Sequence, residues 1–204
     1  RRGARKEKAE TKREASERCR RAAEEAESRI RMLEDLEKNM EGYTGSVKAV
    51  VKESGRGTLK GIRGTLSRLI TVDDKYAAAI ETALGAAVQH VVVDSENDAK
   101  AAIRYLKNSK AGRATFLPVS AIKGRDLDEK DLDDCYGYID IASNLVKTDK
   151  KYQEIIRNQL GRTVVVEDME SAIAMGRKYK NRFRIVTLDG QVINAGGSMT
   201  GGSR

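Results

Sequence analysis

The chain is poor in the residues that build most catalytic centres. Its 204 residues include one histidine, two cysteines, one proline and no tryptophan. Cys19 and Cys135 form no CxxC or metal-binding spacing, so we expect incidental thiols in a reducing compartment. His90 has no second histidine or cysteine near it and abuts the Val91–Val93 run, which favours a structural role. We therefore expect no metal, no cofactor and no enzyme activity from this chain.

Long apolar segments are also missing. No run approaches the roughly 18 apolar residues that a membrane span requires, and the basic start Arg1–Lys6 is not followed by the apolar stretch of a secretory signal. The first residue is not methionine, which predicts a fragment of a longer protein, and the two incidental thiols favour a cytoplasmic location. The formal net charge is +8, and such a basic balance favours a polyanionic partner such as a nucleic acid.

Residues 1–41 have the composition of a long exposed helix. They contain no proline or aromatic residue, and Gly3 is their only glycine. Small or apolar residues recur at alternating spacings of three and four at Cys19, Ala22 or Ala23, Ala26, Ile30, Leu33, Leu36 and Met40. This spacing predicts a coiled-coil seam that ends near Gly42. A lone helix is marginal in water, so we expect a missing antiparallel partner helix.

The remaining residues contain an internal repeat. Leu69–Tyr76 and Leu145–Tyr152 share the pattern Asp-x-Lys-Tyr at a fixed offset of 76, and a Leu-Gly pair follows each. A valine strand comes next in both halves, followed by a second helix and a third strand. The second helix lies at about 97–107 in the first half and 169–179 in the second, and the third strand at 114–117 and 184–188. Each half is therefore predicted to be a β-α-β-α-β unit.

This order predicts an α+β domain of two similar β-α-β-α-β subdomains, preceded by a coiled-coil helix. We place the helix at 1–41 and the domain at 42–204, with subdomains at about 45–122 and 141–204 and a linker at about 123–140. The matched residues are predicted to be structural. Asp73 and Asp149 stand where helix N-caps belong, and Gly85 and Gly161 where C-caps belong.

Three segments rich in glycine or ending in an acid are candidates for binding. Residues 55–61 look like a phosphate cradle but match neither GxGxxG nor the P-loop pattern. The strand Arg184–Asp189 ends in an acid as Walker B motifs do, but a turn at Asp189-Gly190 is the simpler interpretation without a Walker A motif. Residues 196–202 carry two glycine pairs beside a β-prone run. They predict close approach by another backbone, although a flexible tail would also fit.

Four long motifs together resemble the hinge domain of bacterial SMC (structural maintenance of chromosomes) proteins. They are Leu84–Val92, Gly112–Pro118, Tyr179–Arg184 and Asp189–Gly202. The resemblance runs from about residue 42 to 202, with Ala195 where similar sequences often have proline. It implies a homodimerising, non-catalytic hinge at the end of an antiparallel coiled-coil arm. The ATPase head of such a protein lies outside this chain. The resemblance implies that the whole protein acts in chromosome condensation and segregation at the nucleoid.

The resemblance also places the dimer interface. It implies that Gly196, Gly197, Gly201 and Gly202 lie where two subunits meet. We expect Val192 and Ile193 to form an open edge strand beside them that gains backbone partners from the second subunit.

Basic clusters without acids are the candidates for DNA binding. They comprise Arg104, Lys107, Lys110 and Arg113 in the first half, and Arg177, Lys178, Lys180 and Arg182 in the second. Such clusters favour salt-dependent binding without sequence specificity, although a solvated surface would have the same composition. No aromatic ladder accompanies them, so base readout is not expected. Two alternatives remain open from sequence, a nucleotide-dependent enzyme that uses the glycine loops and a monomeric DNA-binding module.

Overall fold

The structure is a computed structural model that describes residues 2–39 and 43–203, with side chains from 3–31 and 43–203. The helices are α1 (Arg2–Asn39), α2 (Gly45–Gly55), α3 (Asp74–Leu84), α4 (Glu96–Ser109), α5 (Gln153–Leu160) and α6 (Met169–Lys178). The strands are β1 (Ile62–Thr65), β2 (Ile70–Val72), β3 (Val91–Val93), β4 (Phe116–Pro118), β5 (Tyr138–Ile141), β6 (Val146–Thr148), β7 (Thr163–Val166), β8 (Arg184–Thr187), β9 (Val192–Ile193) and β10 (Met199–Thr200).

The predicted repeat is present in the element order. Both β2-α3-β3-α4-β4 and β6-α5-β7-α6-β8 have the β-α-β-α-β order, which confirms the predicted α+β architecture. The first strands of the two repeats pair with each other in antiparallel orientation, with Thr71 opposite Lys147 and Ile70 opposite Thr148. Thr71 and Lys147 are themselves equivalent at the offset of 76, so a local two-fold axis passes between them.

The chain divides into two compact units that interleave in sequence. One unit contains residues up to Gly64 together with Val93–Ala114, and the other contains Thr65–Val92 and the residues from Thr115 onward. These units differ from the subdomain boundaries expected at about 45–122 and 141–204. The reason is that α3 of the first repeat shares an apolar cluster with α5 of the second, where Ile80 and Ile156 are both buried.

The first unit is mainly helical and also contains most of β1. In it α2 packs against both α1 and α4. Val50 and Val51 of α2 and Ala102 of α4 are fully buried, and these small or β-branched side chains let the helices approach closely. α4 begins with a capping box, because Ser95 Oγ accepts the Asp98 N–H (3.2 Å) while the Asp98 carboxylate accepts the Ser95 N–H (3.2 Å).

The second unit contains the five-stranded sheet, in the order β10-β9-β8-β7-β5. β7 and β8 are parallel, and the other neighbouring pairs are antiparallel. The turn predicted at Asp189-Gly190 joins β8 to β9, with φ +84° at Gly190. The predicted linker at 123–140 is partly regular, since β5 begins at Tyr138 within it.

The predicted helix ends agree with the structure in most cases. Asp73 is the N-cap of α3, and Gly85 and Gly161 are the C-caps of α3 and α5. Asp149 differs, because a short 3-10 turn separates it from α5. The predicted end of α1 near Gly42, with Met40 of the seam, lies outside the described residues. Among the helices that the structure describes, none is both long enough and apolar enough to cross a membrane.

Candidate functional site

The paired-glycine segment forms the outer strand of the five-stranded sheet. β10 pairs with β9, with Met199 opposite Ile193 and Thr200 opposite Val192, and β9 pairs in turn with β8. The expectation that Val192 and Ile193 form the open edge is therefore wrong, because the chain folds back and β10 covers β9. The side chains of Val192 and Ile193 belong to the chain's own core, with exposures of 2% and 4%.

Backbone and side-chain amide groups of Asn194 and Gln191 hold β10 in place. The Asn194 N–H donates to Ser198 O (2.7 Å), and Asn194 Nδ2 donates to Thr200 Oγ1 (3.2 Å). Gln191 extends the ladder beyond β10, since its Nε2 donates to Gly202 O (3.1 Å) and its Oε1 accepts the Gly202 N–H (2.8 Å). The segment is thus ordered by contacts within its own chain.

The outer edge of β10 carries a defined set of backbone groups. Residues of an antiparallel strand alternate between bonding to one neighbour and facing away from it. Because Ser198 and Gly202 are bonded toward β9 by Asn194 and Gln191, the N–H and C=O groups of Met199 and Gly201 face away from it. The Met199 side chain is 56% exposed, which adds an apolar group to this edge.

The four glycines are required for different structural reasons. Gly196, Gly197 and Gly202 have φ values of +92°, +102° and +136°, a region that L-residues with side chains rarely adopt. A Cβ at Gly197 would approach Asn181 Nδ2 to 3.1 Å, and one at Gly201 would overlap the Gln191 side chain. A Cβ at Gly196 or Gly202 would meet no described atom of the chain within 4 Å. The backbone neighbour expected from the sequence is therefore not supplied by this chain's described residues.

The first basic cluster is exposed at one end of α4. Arg104 and Lys107 lie three residues apart on the helix and share a face. The helix then ends at Lys110, whose φ of +53° turns the chain toward Arg113. All four side chains are exposed, so the structure brings this cluster to the surface together.

The second cluster is only partly available. Arg177, Lys178 and Lys180 are exposed, but Arg182 is held by Glu129 through two bonds of 3.0 and 2.9 Å, which raise the pKa of its guanidinium. The Lys178 ammonium lies 3.8 Å from Cys135 Sγ. The second basic cluster has no acidic residue among its neighbours in sequence, but the fold brings Glu129, 53 positions before Arg182, into contact with it.

A buried arginine that the sequence analysis missed joins α1 to its unit. Arg63 of β1 is 7% exposed, and its Nε donates to Asp94 Oδ1 (2.7 Å). Its Nη1 donates to Ser28 Oγ (2.6 Å), and its Nη2 lies 3.4 Å from a Glu25 carboxylate oxygen. No local pattern in the sequence marked Arg63, because the burial of all four residues of β1 is visible only in the folded structure.

The other candidate sites lack the groups that chemistry would need. In the 55–61 loop, the N–H groups of Arg56, Gly57 and Thr58 already donate to carbonyls of the α2 C-terminus at 3.0–3.1 Å, so they form no phosphate cradle. His90 is half-buried, and desolvation lowers its pKa. Across the part of the chain that the structure describes, no group of three or more His, Cys, Asp or Glu residues could hold a metal.

Comparison with known proteins gives a consistent result. The family model described as SMC proteins Flexible Hinge Domain matches residues 59–176. The Chromosome partition protein Smc of Bacillus subtilis is 44% identical over 183 residues, which cover 88% of this chain and 15% of that protein. The chain thus spans a small part of the curated relatives it matches.

Two solved structures resemble the fold closely. An asymmetric dimer of the Geobacillus stearothermophilus SMC hinge domain has a TM-score of 0.78 and 40% identity, covering 97% of this chain and 82% of that one. The Pyrococcus furiosus Smc hinge domain with an extended coiled coil has a TM-score of 0.67 and 31% identity, covering 97% and 68%.

Proposed function

Because the chain belongs to the SMC hinge-domain family, we propose that it is the dimerisation hinge of a chromosome-organising SMC ATPase that acts in chromosome condensation and segregation at the nucleoid. The observation that carries this proposal is the edge of β10. That edge is ordered by its own chain and offers the outward backbone groups of Met199 and Gly201. The Geobacillus stearothermophilus SMC hinge domain crystallised as an asymmetric dimer, which supports dimerisation here.

The two repeats supply unlike edges that fit each other. β4 has β3 as its neighbour and ends the sheet order of the first repeat, and its residues Phe116 and Pro118 are half-exposed. β10 ends the sheet of the second repeat. If β10 of one subunit pairs with β4 of the other, a two-fold axis generates the same contact twice and closes the dimer.

Glycine substitution tests the interface. Gly196→Ala with Gly202→Ala places two methyl groups where the chain itself leaves space, so a folded monomer is expected if a second subunit fills that space. Gly85→Ala is the matched control, because Gly85 also has positive φ (+55°) with no atom within 4 Å, and it lies outside β10. Light scattering would report the mass and circular dichroism the fold.

Two results would contradict the interface. A double variant that stays fully dimeric at low micromolar concentration would show that Gly196 and Gly202 do not lie in the dimer contact. A double variant that unfolds while Gly85→Ala folds would assign these glycines to the fold of the single chain.

DNA binding without sequence specificity is the second part of the proposal. The exposed cluster at the end of α4 supports it, since several cations there can neutralise phosphates. Replacing Lys107, Lys110 and Arg113 by Glu should weaken binding to any DNA sequence, with the salt slope falling by roughly 0.7–0.9 for each lost phosphate contact. The charge-matched control replaces the exposed Lys75, Lys150 and Lys151 by Glu.

Equal binding by the wild type and the α4 variant would move the DNA surface elsewhere, with the second basic cluster as the next candidate. An equal loss of DNA affinity in the control variant would show that the effect comes from the change in net charge and not from the α4 cluster.

The third part of the proposal is an antiparallel partner for α1. The described seam side chains Cys19, Ala22, Ala26 and Ile30 are exposed, and Ile30 is 56% exposed. The Pyrococcus furiosus Smc hinge domain with an extended coiled coil supports a coiled-coil arm here. Adding the missing arm should raise the ellipticity at 222 nm by more than the added residues contribute alone. Absence of any extra helix would contradict the pairing.

The enzyme alternative has lost its main support, because the 55–61 loop does not form a phosphate cradle. That this chain has no catalytic activity remains a prediction. A titration with labelled ATP tests it, and tight binding would contradict it.

A further inference from the structure

A surface cavity of the second unit lies between α6 and the turn that precedes β5. Its volume is about 290 Å³, and Cys135 and Tyr136 of the turn line one side of it. The α6 residues that line the other side recur every three to four positions, so they share one face of the helix. They are Glu170, Ser171, Ala174, Met175 and Lys178. We name this cavity the α6 pocket.

A free thiol in the α6 pocket lies beside a cation. Cys135 is half-buried, and its Sγ lies 3.8 Å from Lys178 Nζ and 3.7 Å from Asp131 O. The charge that the cysteine sulfur can carry raises the pKa of the Lys178 ammonium. A neighbouring cation favours the thiolate, which is the form of cysteine that attacks disulfides. The pair therefore has the groups needed for thiol–disulfide exchange.

The buried side of the α6 pocket contains a hydroxyl with unused hydrogen-bonding capacity. Ser171 is 3% exposed, and its Oγ forms no hydrogen bond of normal geometry with the described chain. The Asp168 carboxylate accepts the Ser171 N–H (2.8 Å), and the Ser171 N–H and hydroxyl together lower the pKa of that carboxyl. Donation by the hydroxyl to Asp168 would still leave its two acceptor sites unused. A buried polar group of this kind beside a cavity points to a bound molecule that supplies a donor.

The α6 pocket has opposite charges at its two ends. Glu170 and Lys178 are both exposed, and their positions on α6 are separated by about 12 Å at a rise of roughly 1.5 Å per residue. The wall between them is apolar, with Ala174 and Met175. A zwitterionic molecule can therefore place its amino group near Glu170 and a carboxylate near Lys178. A volume of about 290 Å³ is close to the lower limit of small-molecule sites, roughly 300 Å³, which suits a molecule the size of a tripeptide.

We propose that Cys135 forms a reversible mixed disulfide with a zwitterionic low-molecular-weight thiol, which the α6 pocket then holds. The Cys135 thiolate attacks one sulfur of the oxidised small thiol, and a new S–S bond forms as the original one breaks. The other half leaves as a thiolate and takes up the proton that Cys135 released. Cys135 is thus oxidised, and the small disulfide is the oxidant. The proposal does not depend on the dimer contact, because β5 and β10 lie at opposite ends of the five-stranded sheet.

The test measures the equilibrium constant for adduct formation with reduced and oxidised glutathione, by intact mass spectrometry of the full chain. Cys19→Ser leaves Cys135 as the only thiol, and a synthetic peptide of residues 131–139 has the same cysteine without the pocket. The equilibrium constant should be about five-fold larger in the chain than in the peptide, the upper range of one exposed ion pair. Lys178→Gln should remove most of that difference. Lys150→Gln is the matched control at an exposed lysine outside the pocket and should keep it.

Ala174→Leu separates the pocket from the thiol itself. It fills the α6 pocket at an exposed helical position that leucine suits, so glutathione adduct formation should fall while the rate with the small reagent iodoacetamide stays that of the parent chain. Circular dichroism would confirm the fold of each variant. Equal constants for chain and peptide, equal effects of Lys178→Gln and Lys150→Gln, or unchanged adduct formation in Ala174→Leu would each overturn the proposal. A Cys135 that iodoacetamide does not reach in the folded chain would overturn it as well.

Discussion

Arg63 offers a direct test of how α1 is attached to its unit. Its guanidinium contacts Ser28 and Glu25 of α1 on one side and Asp94 on the other. Replacing it with methionine keeps most of the aliphatic volume and removes all of these polar contacts. We expect Arg63→Met to weaken the attachment of α1 while the second unit stays folded.

The magnitude follows from burial. Breaking a fully buried ion pair costs about 3–5 kcal/mol. Here the side chains of Asp94 and Glu25 are 45% and 30% exposed, so water can hydrate them after the change. We therefore expect a loss of about 2–3 kcal/mol, near the value for hydrogen bonds to charged groups. For a chain of this size that corresponds to a fall in Tm of roughly 5–10 °C if melting is cooperative.

Hydrogen exchange measured by mass spectrometry can locate the effect. Peptides that cover residues 18–31 should exchange faster in Arg63→Met than in the wild type, and peptides from β7 and β8 should not change. The control is Arg157→Met, which removes a bidentate pair with Asp126 at the surface, where the side chains are 39% and 65% exposed. That change should leave the Tm close to that of the wild type and residues 18–31 unaffected, because an exposed ion pair contributes little to stability. Unchanged exchange of residues 18–31 in Arg63→Met would refute the assignment.

Three further predictions follow from single contacts. Burial lowers the pKa of His90 below its ordinary 6.5, so the unfolded chain binds the proton first as pH falls through 6.5, and stability should decline there; urea unfolding of His90→Gln should show a smaller decline, and an identical one would contradict the assignment. Gln191→Ala removes the side-chain hydrogen bonds to Gly202 after β10, at a cost of only about 1 kcal/mol to the stability of the single chain. We expect sedimentation to show a weaker dimer, and an unchanged dimer affinity would show that these hydrogen bonds do not support the interface. Lys180→Gln should reduce DNA affinity more than Arg182→Gln, because Arg182 is already paired with a carboxylate; the reverse order in a filter-binding assay would count against this ranking.

The elements of the repeat were predictable because their signals are local. The valine runs, the Leu-Gly helix ends and the fixed offset of 76 all lie in short stretches of sequence, and the structure has strands and helix caps at those places. β10 was missed for the same reason. It has two residues, both exposed, and therefore shows no apolar alternation. It is ordered by hydrogen bonds from the Asn194 side chain to Thr200 Oγ1 and from the Gln191 side chain to Gly202 O.

Contacts between distant residues were not predictable from local pattern. Arg182 and Glu129 are 53 positions apart, and Arg63 and Ser28 are 35 apart. The shared cluster of α3 and α5 arises because β2 and β6 pair at the local two-fold axis and bring the two helices together. These contacts depend on the completed fold, so the composition of a short segment contains no record of them.

The two repeats are alike at their centre and differ at their outer edges, which is where we expect the dimer contact. Equivalent positions at the centre keep the same geometry, since Lys75 lies 4.8 Å from the ring centre of Tyr76 and Lys151 lies 5.1 Å from that of Tyr152. The repeats differ at their ends, because the second continues into the hairpin of β9 and β10. Two identical halves would present like edges. The added hairpin makes the edges unlike, and in our proposal that difference lets β10 of one subunit fit β4 of the other, so that the dimer closes without leaving either edge for a third chain.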